Sequence, residues 1–308
     1  MNSVHTSVMT SEVLEFLKAS EGGLFLDCTF GGGGHSKAIL EANTGNRVIG
    51  LDQDIRAIKR GEFLKTQYPE RLELHHTSFS NFDKILSGEK FDGVLADLGL
   101  SSDQLAEGRG FSFDDSESLD MRMNELSDLS ADQIVNTYNE SELYRLLKEG
   151  GVGKEARAAV RAIVSNRPFG NSKSLAEHLK RAVGRFEKGK MRNPATVIFQ
   201  AIRIAVNREL QEIKDFLSKI PSYIKPSGRL AVLTFHSLED KLTARTMRAW
   251  RGNSEPALWG GVVNSESLGV LLTSKAVVAS KRELAENRRA RSAKLRVFEF
   301  QPATCKKL

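Results

Sequence analysis

The chain has 308 residues, of which 40% are hydrophobic and 27% charged, the balance of an ordinary globular protein. This composition excludes a disordered tail protein and a collagen-like fibre, and no run approaches the roughly 18 apolar residues of a membrane span. Two cysteines, Cys28 and Cys305, cannot form a disulfide framework or a cysteine-based zinc site, which favours reduced thiols. The net charge of +6 indicates a polyanionic partner only weakly. Because the N-terminus lacks the layout of a signal peptide, we expect a cytoplasmic protein.

The first hundred or so residues alternate between short β-rich runs and helical patterns. The predicted strands cover residues 23–30, 47–52, 72–76 and 91–97, and a helix is predicted from Asp54 to about Thr66. Strands separated by helices are typical of right-handed crossovers and a parallel sheet. The sequence therefore predicts a doubly wound α/β fold.

This alternation stops after Gly99 and resumes only at a fifth predicted strand, residues 228–235. Helical patterns fill the interval. We therefore predict an inserted all-helical domain over residues 106–192. The α/β domain is then discontinuous, formed by residues 1–105 and 193–308.

Local signals define some of the later elements. Ser130 with Gln133 is a predicted capping box at a helix N-terminus. A long helix is predicted to begin at Asn193-Pro194 and to continue through Leu217. Two late β-like runs, residues 276–279 and 295–300, are predicted to complete the sheet as an edge hairpin.

Four glycines, Gly31 to Gly34, followed by His35, lie where the first strand turns into its helix. Glycine lets the backbone approach a ligand closely, and the helix N-terminus offers free N–H groups. Asp52 ends the second strand about 20 residues later, where a carboxylate can accept hydrogen bonds from both ribose hydroxyls. Together these features favour a nucleoside-containing cofactor over a purely structural turn.

The kind of cofactor follows from the glycine spacing. The G-x-G-x-x-G fingerprint of dinucleotide sites fails, because Ser36 or Lys37 occupies its last position. S-adenosylmethionine has no phosphate, and its sulfonium and amino groups suit the acidic side chains expected nearby: Asp27, Asp52 and Asp97. Phe79, just past the third strand, is either an adenine-packing residue or an ordinary core phenylalanine.

The run from Asp97 to Gln104 leaves the carboxyl end of the fourth strand, where ligands of open α/β sheets bind. A carboxylate followed by a sharply turning loop can hold a planar exocyclic amine. Such an amine on cytosine is a poor nucleophile because its lone pair is delocalised into the ring. Hydrogen bonding and in-line positioning against a methyl-sulfonium would overcome this without a metal, so Asp97 is the candidate catalytic residue.

Other chemistries lack their motifs. The six histidines include no H-E-x-x-H spacing, so no metal site is predicted. The sequence also lacks the G-x-S-x-G of hydrolases and the G-x-x-x-x-G-K-[ST] of P-loop ATPases.

Seven ordered motifs carry a resemblance to a known family. They are HTSVM at residues 5–9, TFGGGGHS at 29–36, DLGLSSDQ at 97–104, RGFSF at 109–113, LDMRM at 119–123, NPAT with FQA at 193–201, and FHSLED at 235–240. The chain resembles the bacterial small-subunit ribosomal RNA cytosine-N4 methyltransferases, the RsmH or MraW family, over nearly its whole length.

The resemblance implies a class I S-adenosylmethionine-dependent methyltransferase with a Rossmann-like sheet. Its substrate would be the N4 of a decoding-centre cytidine in 16S rRNA, within the small ribosomal subunit. Cofactor contacts would fall on Gly33, Gly34, His35, Asp52, Phe79, Asp97 and Gln104. Substrate contacts would fall on Arg109, Met121 and Arg122. Oligomeric state stays open.

Charge is distributed in blocks. Residues 154–192 hold eleven basic against three acidic residues, and residues 281–296 hold seven against two. With the family resemblance, both blocks are predicted to contact phosphates rather than to be plain solvated faces. In the second block these contacts are assigned to Arg288, Arg289 and Arg291.

Two alternative functions stay open on the sequence. A Rossmann oxidoreductase is disfavoured by the failed glycine fingerprint. A non-catalytic RNA-binding ribosome assembly factor is disfavoured by the intact run from Asp97 to Gln104.

Overall fold

The computed structural model of the chain describes residues 7–86, 88–184, 195–252, 254–256, 262–264 and 266–301. The strands are β1 (Leu24–Asp27), β2 (Arg47–Asp52), β3 (Leu72–His76), β4 (Phe91–Asp97), β5 (Ile224–Thr234), β6 (Ser254–Pro256), β7 (Val262–Asn264), β8 (Gly269–Leu271) and β9 (Lys294–Phe300). The helices are α1 (Thr10–Phe16), α2 (Gly34–Ala42), α3 (Ile55–Gln67), α4 (Ser102–Ala106), α5 (Ala131–Thr137), α6 (Glu140–Glu149), α7 (Ala156–Ser165), α8 (Ser172–Val183), α9 (Thr196–Val206), α10 (Glu209–Lys219), α11 (Ser237–Trp250) and α12 (Lys281–Glu286). None of these described helices is long and apolar enough to cross a bilayer.

A seven-stranded sheet in the order β3-β2-β1-β4-β5-β9-β8 organises the molecule. Strands β1 to β5 pair in parallel, whereas β9 runs antiparallel to both β5 and β8. The predicted doubly wound parallel sheet is therefore confirmed. Because the carboxyl ends of β1, β2, β3 and β4 all lie at one edge of the sheet, the residues that follow these strands are brought to the same place.

The chain divides into two compact units, which we call the α/β unit and the helical unit. The α/β unit contains residues 1–99 and 211–308, and the helical unit contains residues 100–210. The helical unit thus ends 18 residues beyond the predicted boundary at 192. The reason is α9, whose buried Ile198 and Ile202 belong to the core of the helical unit.

The sheet of the α/β unit is buried on both faces. Neighbouring residues of β1 point to opposite sides, so Leu26 packs with Phe216 of α10 on one face, whereas Phe25 packs with Val13 of α1 on the other. Such two-sided burial is typical of parallel strands, and it explains why their sequences are continuously apolar.

The core of the helical unit is formed by the apolar faces of α5 to α9. Leu143 and Leu147, one helical turn apart on α6, are fully buried in it. The predicted capping box is confirmed: Ser130 Oγ accepts from the N–H of Gln133, and the side chain of Gln133 accepts from the N–H of Ser130.

Two predicted elements are wrong. The long helix is two helices, α9 and α10, because the chain breaks at Arg208, whose φ of 50° is left-handed and cannot continue a helix; Asn193 and Pro194 lie outside the described residues. The edge hairpin is also different, since β9 lies inside the sheet and the edge strand is β8. Within the described part of the chain, Val277 contributes an isolated bridge to Leu295 and no strand.

Candidate active site at the carboxyl ends of the strands

The glycine turn between β1 and α2 is shaped around the ring of Phe30. Gly31 and Gly33 have φ values of 53° and 75°, in the region that favours glycine. A Cβ on Gly33 would lie 2.7 Å from Cζ of Phe30, and one on Gly61 of α3 would lie 2.5 Å from Cε1 of the same ring. Glycine is therefore required here by both the backbone conformation and the space available.

The N-terminus of α2 presents backbone donors at this turn. Its N-cap is Gly33, which has no side chain to accept hydrogen bonds from the first N–H groups of the helix. These groups, on Gly34, His35 and Ser36, together with the helix dipole, form a place for an anion such as a carboxylate.

Asp52 lies at the end of β2, beside the glycine turn. Its Oδ2 accepts a hydrogen bond from the N–H of Gly31 at 2.7 Å, and its Oδ1 accepts one from the N–H of Asp54 at 2.8 Å. Burial raises the pKa of Asp52 to about 6, although these two N–H groups act in the opposite direction. Each carboxylate oxygen keeps a second lone pair, which can accept from a ribose hydroxyl.

Phe79 follows β3 and begins a short 3₁₀ helix. It packs edge-on against Phe216, with ring centroids 5.4 Å apart, and is only half-buried. Phe79 therefore belongs to the core on one side and retains exposed ring surface, which an adenine ring can cover.

Asp97 ends β4 and is held by contacts on both its main chain and its side chain. Its N–H donates to Oγ1 of Thr29 at 2.7 Å, and its Oδ2 lies 3.4 Å from Nε2 of His35. Its Oδ1 is buried, and no described residue provides a hydrogen bond to it. Buried polar atoms in proteins are nearly always paired, so this oxygen is expected to find its partner on a ligand.

His35 lies between carboxylates in the interior of the site. Its side chain is 6% exposed, and neither of its ring nitrogens makes a hydrogen bond with a described residue. Burial lowers the pKa of His35, but contact with Asp97 and the charges of Asp27 and Glu283 outweigh burial, so that the pKa is raised overall. The imidazole is thus biased towards its charged form.

Asp27 is the fully buried carboxylate of this group. Its Oδ2 accepts from Oγ of Ser36 at 2.6 Å, and its Oδ1 accepts from the N–H of Thr29 at 3.2 Å. Burial raises the pKa of Asp27, and the hydrogen bond from Ser36 partly offsets this effect. The sequence placed Asp27 near the cofactor; the structure shows that it anchors the start of α2.

Sequence reasoning missed Glu283. This residue lies on α12, where its Oε1 accepts from the N–H of Met9 at 2.5 Å, and its charge acts on His35. In the sequence it is one of two acidic residues within a basic block, and nothing in that pattern indicates a position beside a residue almost 250 places earlier.

Four of the predicted site residues lie in the helical unit: Gln104, Arg109, Met121 and Arg122. Gln104 is buried on α4, where its side chain closes a capping box with Ser101. Arg109 is 6% exposed; it pairs with Glu107 and Glu125 and donates to main-chain carbonyls.

Met121 and Arg122 are also held by contacts within their loop. Met121 is 1% exposed, and Arg122 makes a two-pronged contact with Asp120. Both Arg109 and Met121 are buried within their loop, and their substrate contacts stay a prediction.

The three arginines predicted to contact RNA lie in a 3₁₀ turn of the α/β unit, Arg288–Ser292. Arg288 and Arg291 are exposed and Arg289 is half-buried. Ala290, between them, is buried in the core and fixes the turn.

Together, these findings place Gly33, Gly34, His35, Asp52 and Asp97 around one edge of the sheet, with Phe79 after the neighbouring strand. The strand order and this donor set define a class I S-adenosylmethionine-dependent methyltransferase. The helix N-terminus fits the carboxylate of the cofactor, Asp52 fits its ribose, and Phe79 fits its adenine.

Comparison with known proteins identifies the family. A sequence model of the MraW methylase family matches residues 2–301, so the chain belongs to that family. Ribosomal RNA small subunit methyltransferase H of a Nitratiruptor species is 40% identical over 98% of this chain and 100% of its own length, and that of Kosmotoga olearia is 41% identical over 97% and 98%. The alternative of a Rossmann oxidoreductase is therefore wrong.

Solved structures similar to this chain include an rRNA methylase from Streptococcus thermophilus, with a TM-score of 0.44 at 10% identity over 97% of this chain and 100% of that one. A putative rRNA methylase from Clostridium thermocellum has a TM-score of 0.45 at 12% identity, over 96% and 100%.

Proposed function

We propose that this protein methylates the exocyclic N4 of a decoding-centre cytidine in 16S ribosomal RNA, within the small ribosomal subunit. The names of its relatives support ribosomal RNA of the small subunit as substrate. The family resemblance supports N4 of cytosine. The observation that carries the proposal is the buried Oδ1 of Asp97, which has no hydrogen-bond partner among the described residues.

The residues around the sheet edge have separate tasks in this reaction. Backbone N–H groups of Gly34 and His35 hold the cofactor's carboxylate, and Asp52 holds its ribose hydroxyls. When bound, S-adenosylmethionine supplies a methyl group, whose transfer to N4 leaves S-adenosylhomocysteine and one proton.

Asp97 is the proposed catalytic residue. Its Oδ1 accepts a hydrogen bond from the amine, which draws the nitrogen lone pair out of conjugation with the ring, and then accepts the proton that N4 loses. No metal is required for either step.

The RNA is held through phosphate contacts by basic side chains that are exposed or half-buried. Arg288, Arg289 and Arg291 supply them on the α/β unit. On the helical unit, Arg157 and Arg161 are exposed on α7, within the predicted basic block; residues 185–192 of that block lie outside the described residues. We infer that Arg109, Met121 and Arg122 support RNA binding by fixing their loop. The proposed cofactor contact of Gln104 stays a prediction.

Labelled S-adenosylmethionine and unmodified small subunits, followed by nucleoside analysis, test the proposal. We expect label at N4 of one cytidine. Asp97→Asn should slow transfer by about 10²- to 10⁴-fold, the usual contribution of a general base. Label at ring carbon five or at a ribose hydroxyl would contradict the proposed regiochemistry. RNA association with no transfer by the unmutated protein would identify a non-catalytic assembly factor instead.

Asp92→Asn is the matched control. Asp92 lies on the same strand at the opposite end, where it accepts from the N–H of Leu24 and from Nζ of Lys225, both at 2.8 Å. Removing this carboxylate should leave the rate of methyl transfer within about threefold of the unmutated rate, because its contacts to Leu24 and Lys225 do not position Asp97.

A further inference from the structure

The contact between His35 and Asp97 divides the two oxygens of that carboxylate into different roles. Oδ2 lies 3.4 Å from Nε2 of His35, whereas Oδ1 has no partner among the described residues. A carboxylate on a single rotatable bond can present either oxygen to a substrate unless one of them is held. His35 restrains one of them, Oδ2, through an ion-pair contact at 3.4 Å rather than through a hydrogen bond.

We propose that His35 is a positioning residue, whose side chain fixes Oδ2 of Asp97 so that Oδ1 alone faces the reacting amine. The proposal rests on the proposed function, in which Asp97 accepts the amine proton. It assigns the side chain of His35 a task apart from cofactor binding, which the backbone N–H of the same residue performs at the start of α2.

The surroundings of His35 suit this task. The charged groups that act on its ring are Asp97 of β4, Asp27 of β1 and Glu283 of α12, all carboxylates. A charged imidazole attracts the carboxylate of Asp97, whose Oδ2 lies 3.4 Å from Nε2 of the ring. The ring is also rigidly placed, because the side chain is buried at the first turn of α2.

Asp27 and Glu283 are each held by other residues, so that Asp97 is the carboxylate that depends on His35. Asp27 accepts from Ser36 and from Thr29, and Glu283 accepts from the N–H of Met9. Asp97 has no such side-chain partner among the described residues apart from His35. Loss of the imidazole would therefore free Asp97 more than it would free Asp27 or Glu283.

His35→Gln tests the proposal, since glutamine keeps the backbone N–H and removes the ring. Two quantities are measured on the full-length protein: the dissociation constant of S-adenosylhomocysteine by calorimetry, and the single-turnover rate of methyl transfer to unmodified small subunits. We expect the rate to fall by about tenfold to a hundredfold, the cost of a misplaced catalytic group, whereas the dissociation constant changes by less than about threefold.

A double-mutant cycle provides the second measurement. If His35 acts only through Asp97, then His35→Gln added to Asp97→Asn should cause no further loss of rate beyond about twofold. Additive losses would overturn the proposal, as would a loss of cofactor affinity that matches the loss of rate.

His75→Gln is the matched control, because Nε2 of His75 lies 2.7 Å from Oε1 of Glu73 in a histidine–carboxylate pair of the same sheet that has no assigned task in the reaction. It should leave both quantities unchanged. Failure of the proposed function would look different: the unmutated protein itself would then place no label on cytosine N4.

Discussion

Buried polar groups are paired differently in two regions of the molecule. One is the sheet edge of the α/β unit, and the other is the loop of residues 107–123 in the helical unit. At the sheet edge, Oδ1 of Asp97 and both ring nitrogens of His35 are buried without a hydrogen bond from any described residue. In the loop, Arg109 is equally buried but contacts two glutamates and main-chain carbonyls. An unpaired buried polar atom costs about 1–3 kcal/mol. The buried polar atoms of the sheet edge are thus suited to bind a ligand, whereas in the loop two glutamates compensate the charge of Arg109, which acts as a scaffold.

Among variants of the sheet edge, we expect the largest loss of cofactor affinity at the glycine turn. Gly33→Ala places a Cβ 2.7 Å from the ring of Phe30 at a φ of 75°. Because the turn must shift, the N–H groups of α2 lose their alignment, and we expect the affinity for S-adenosylhomocysteine to fall by more than about tenfold. Overpacking and backbone strain together should lower the free energy of unfolding by about 2–4 kcal/mol. Calorimetry and denaturant titration measure the two.

Gly88→Ala is the control that separates the effect of backbone strain from the effect of location at the cofactor site. Gly88 also has a positive φ, 86°, but no atom lies within 4 Å of the added Cβ. We expect a loss of about 1 kcal/mol of stability and unchanged cofactor affinity. Equal cofactor affinity in the two variants would show that the turn at Gly33 is not part of the cofactor site.

A smaller effect is expected from acid. Because the pKa of Asp52 is about 6, its carboxylate takes up a proton as the pH falls through 6 and then accepts fewer hydrogen bonds from the ribose. Affinity for S-adenosylhomocysteine should therefore fall by up to about tenfold per pH unit below 6. Without ligand the sign is reversed: the raised pKa means that protonation of Asp52 stabilises the fold as the pH falls from 6 towards 4.

Asp52→Asn is the comparison for both measurements. It should bind the cofactor more weakly above pH 6 and lose the part of the pH dependence that Asp52 causes, whereas Asp92→Asn should keep it. If calorimetry between pH 5 and pH 8 gave parallel curves for the Asp52→Asn variant and the unmutated protein, Asp52 would not be a ribose acceptor.

Local signals were sufficient to predict most of the α/β unit. The apolar runs at β2, β3 and β4 and the glycine turn each depend on residues close in the chain, and those strands were predicted with their observed bounds. Asp52 and Asp97 could be placed together because parallel strands bring their carboxyl ends to one edge.

What the sequence could not provide depends on tertiary packing. The helix breaks at Arg208 without a glycine or proline that would predict the break. Strand β8 has three residues, too few to show an alternating hydrophobic pattern. The role of Glu283 requires α12 to approach the N-terminal segment and His35, which no spacing encodes. Likewise, the burial of Arg109 contradicts the usual expectation that an arginine is exposed, and the glutamates that surround it become visible only in three dimensions.

The smallest effect on catalysis is expected from the three arginines of the Arg288–Ser292 turn in the α/β unit. Changing Arg288, Arg289 and Arg291 together to glutamine removes three cations from a turn that Ala290 keeps in place. RNA binding should weaken, and the slope of log affinity against log salt should become shallower by about two, because fewer counterions are released. The single-turnover rate at saturating RNA should change by less than about threefold. An unchanged slope would remove this turn from the RNA interface.

Two further variants test whether a change in the salt slope reports phosphate contacts of the Arg288–Ser292 turn. Arg282→Gln removes an 89% exposed cation from the neighbouring α12 and should barely alter the slope. Arg109→Gln should leave the slope unchanged too, for a different reason: its charge is buried against Glu107 and Glu125. Its loss should instead lower the free energy of unfolding by about 1–3 kcal/mol. A shallower slope for Arg109→Gln would show that the loop of the helical unit opens to bind phosphate. The loop would then bind RNA itself rather than act only as a scaffold.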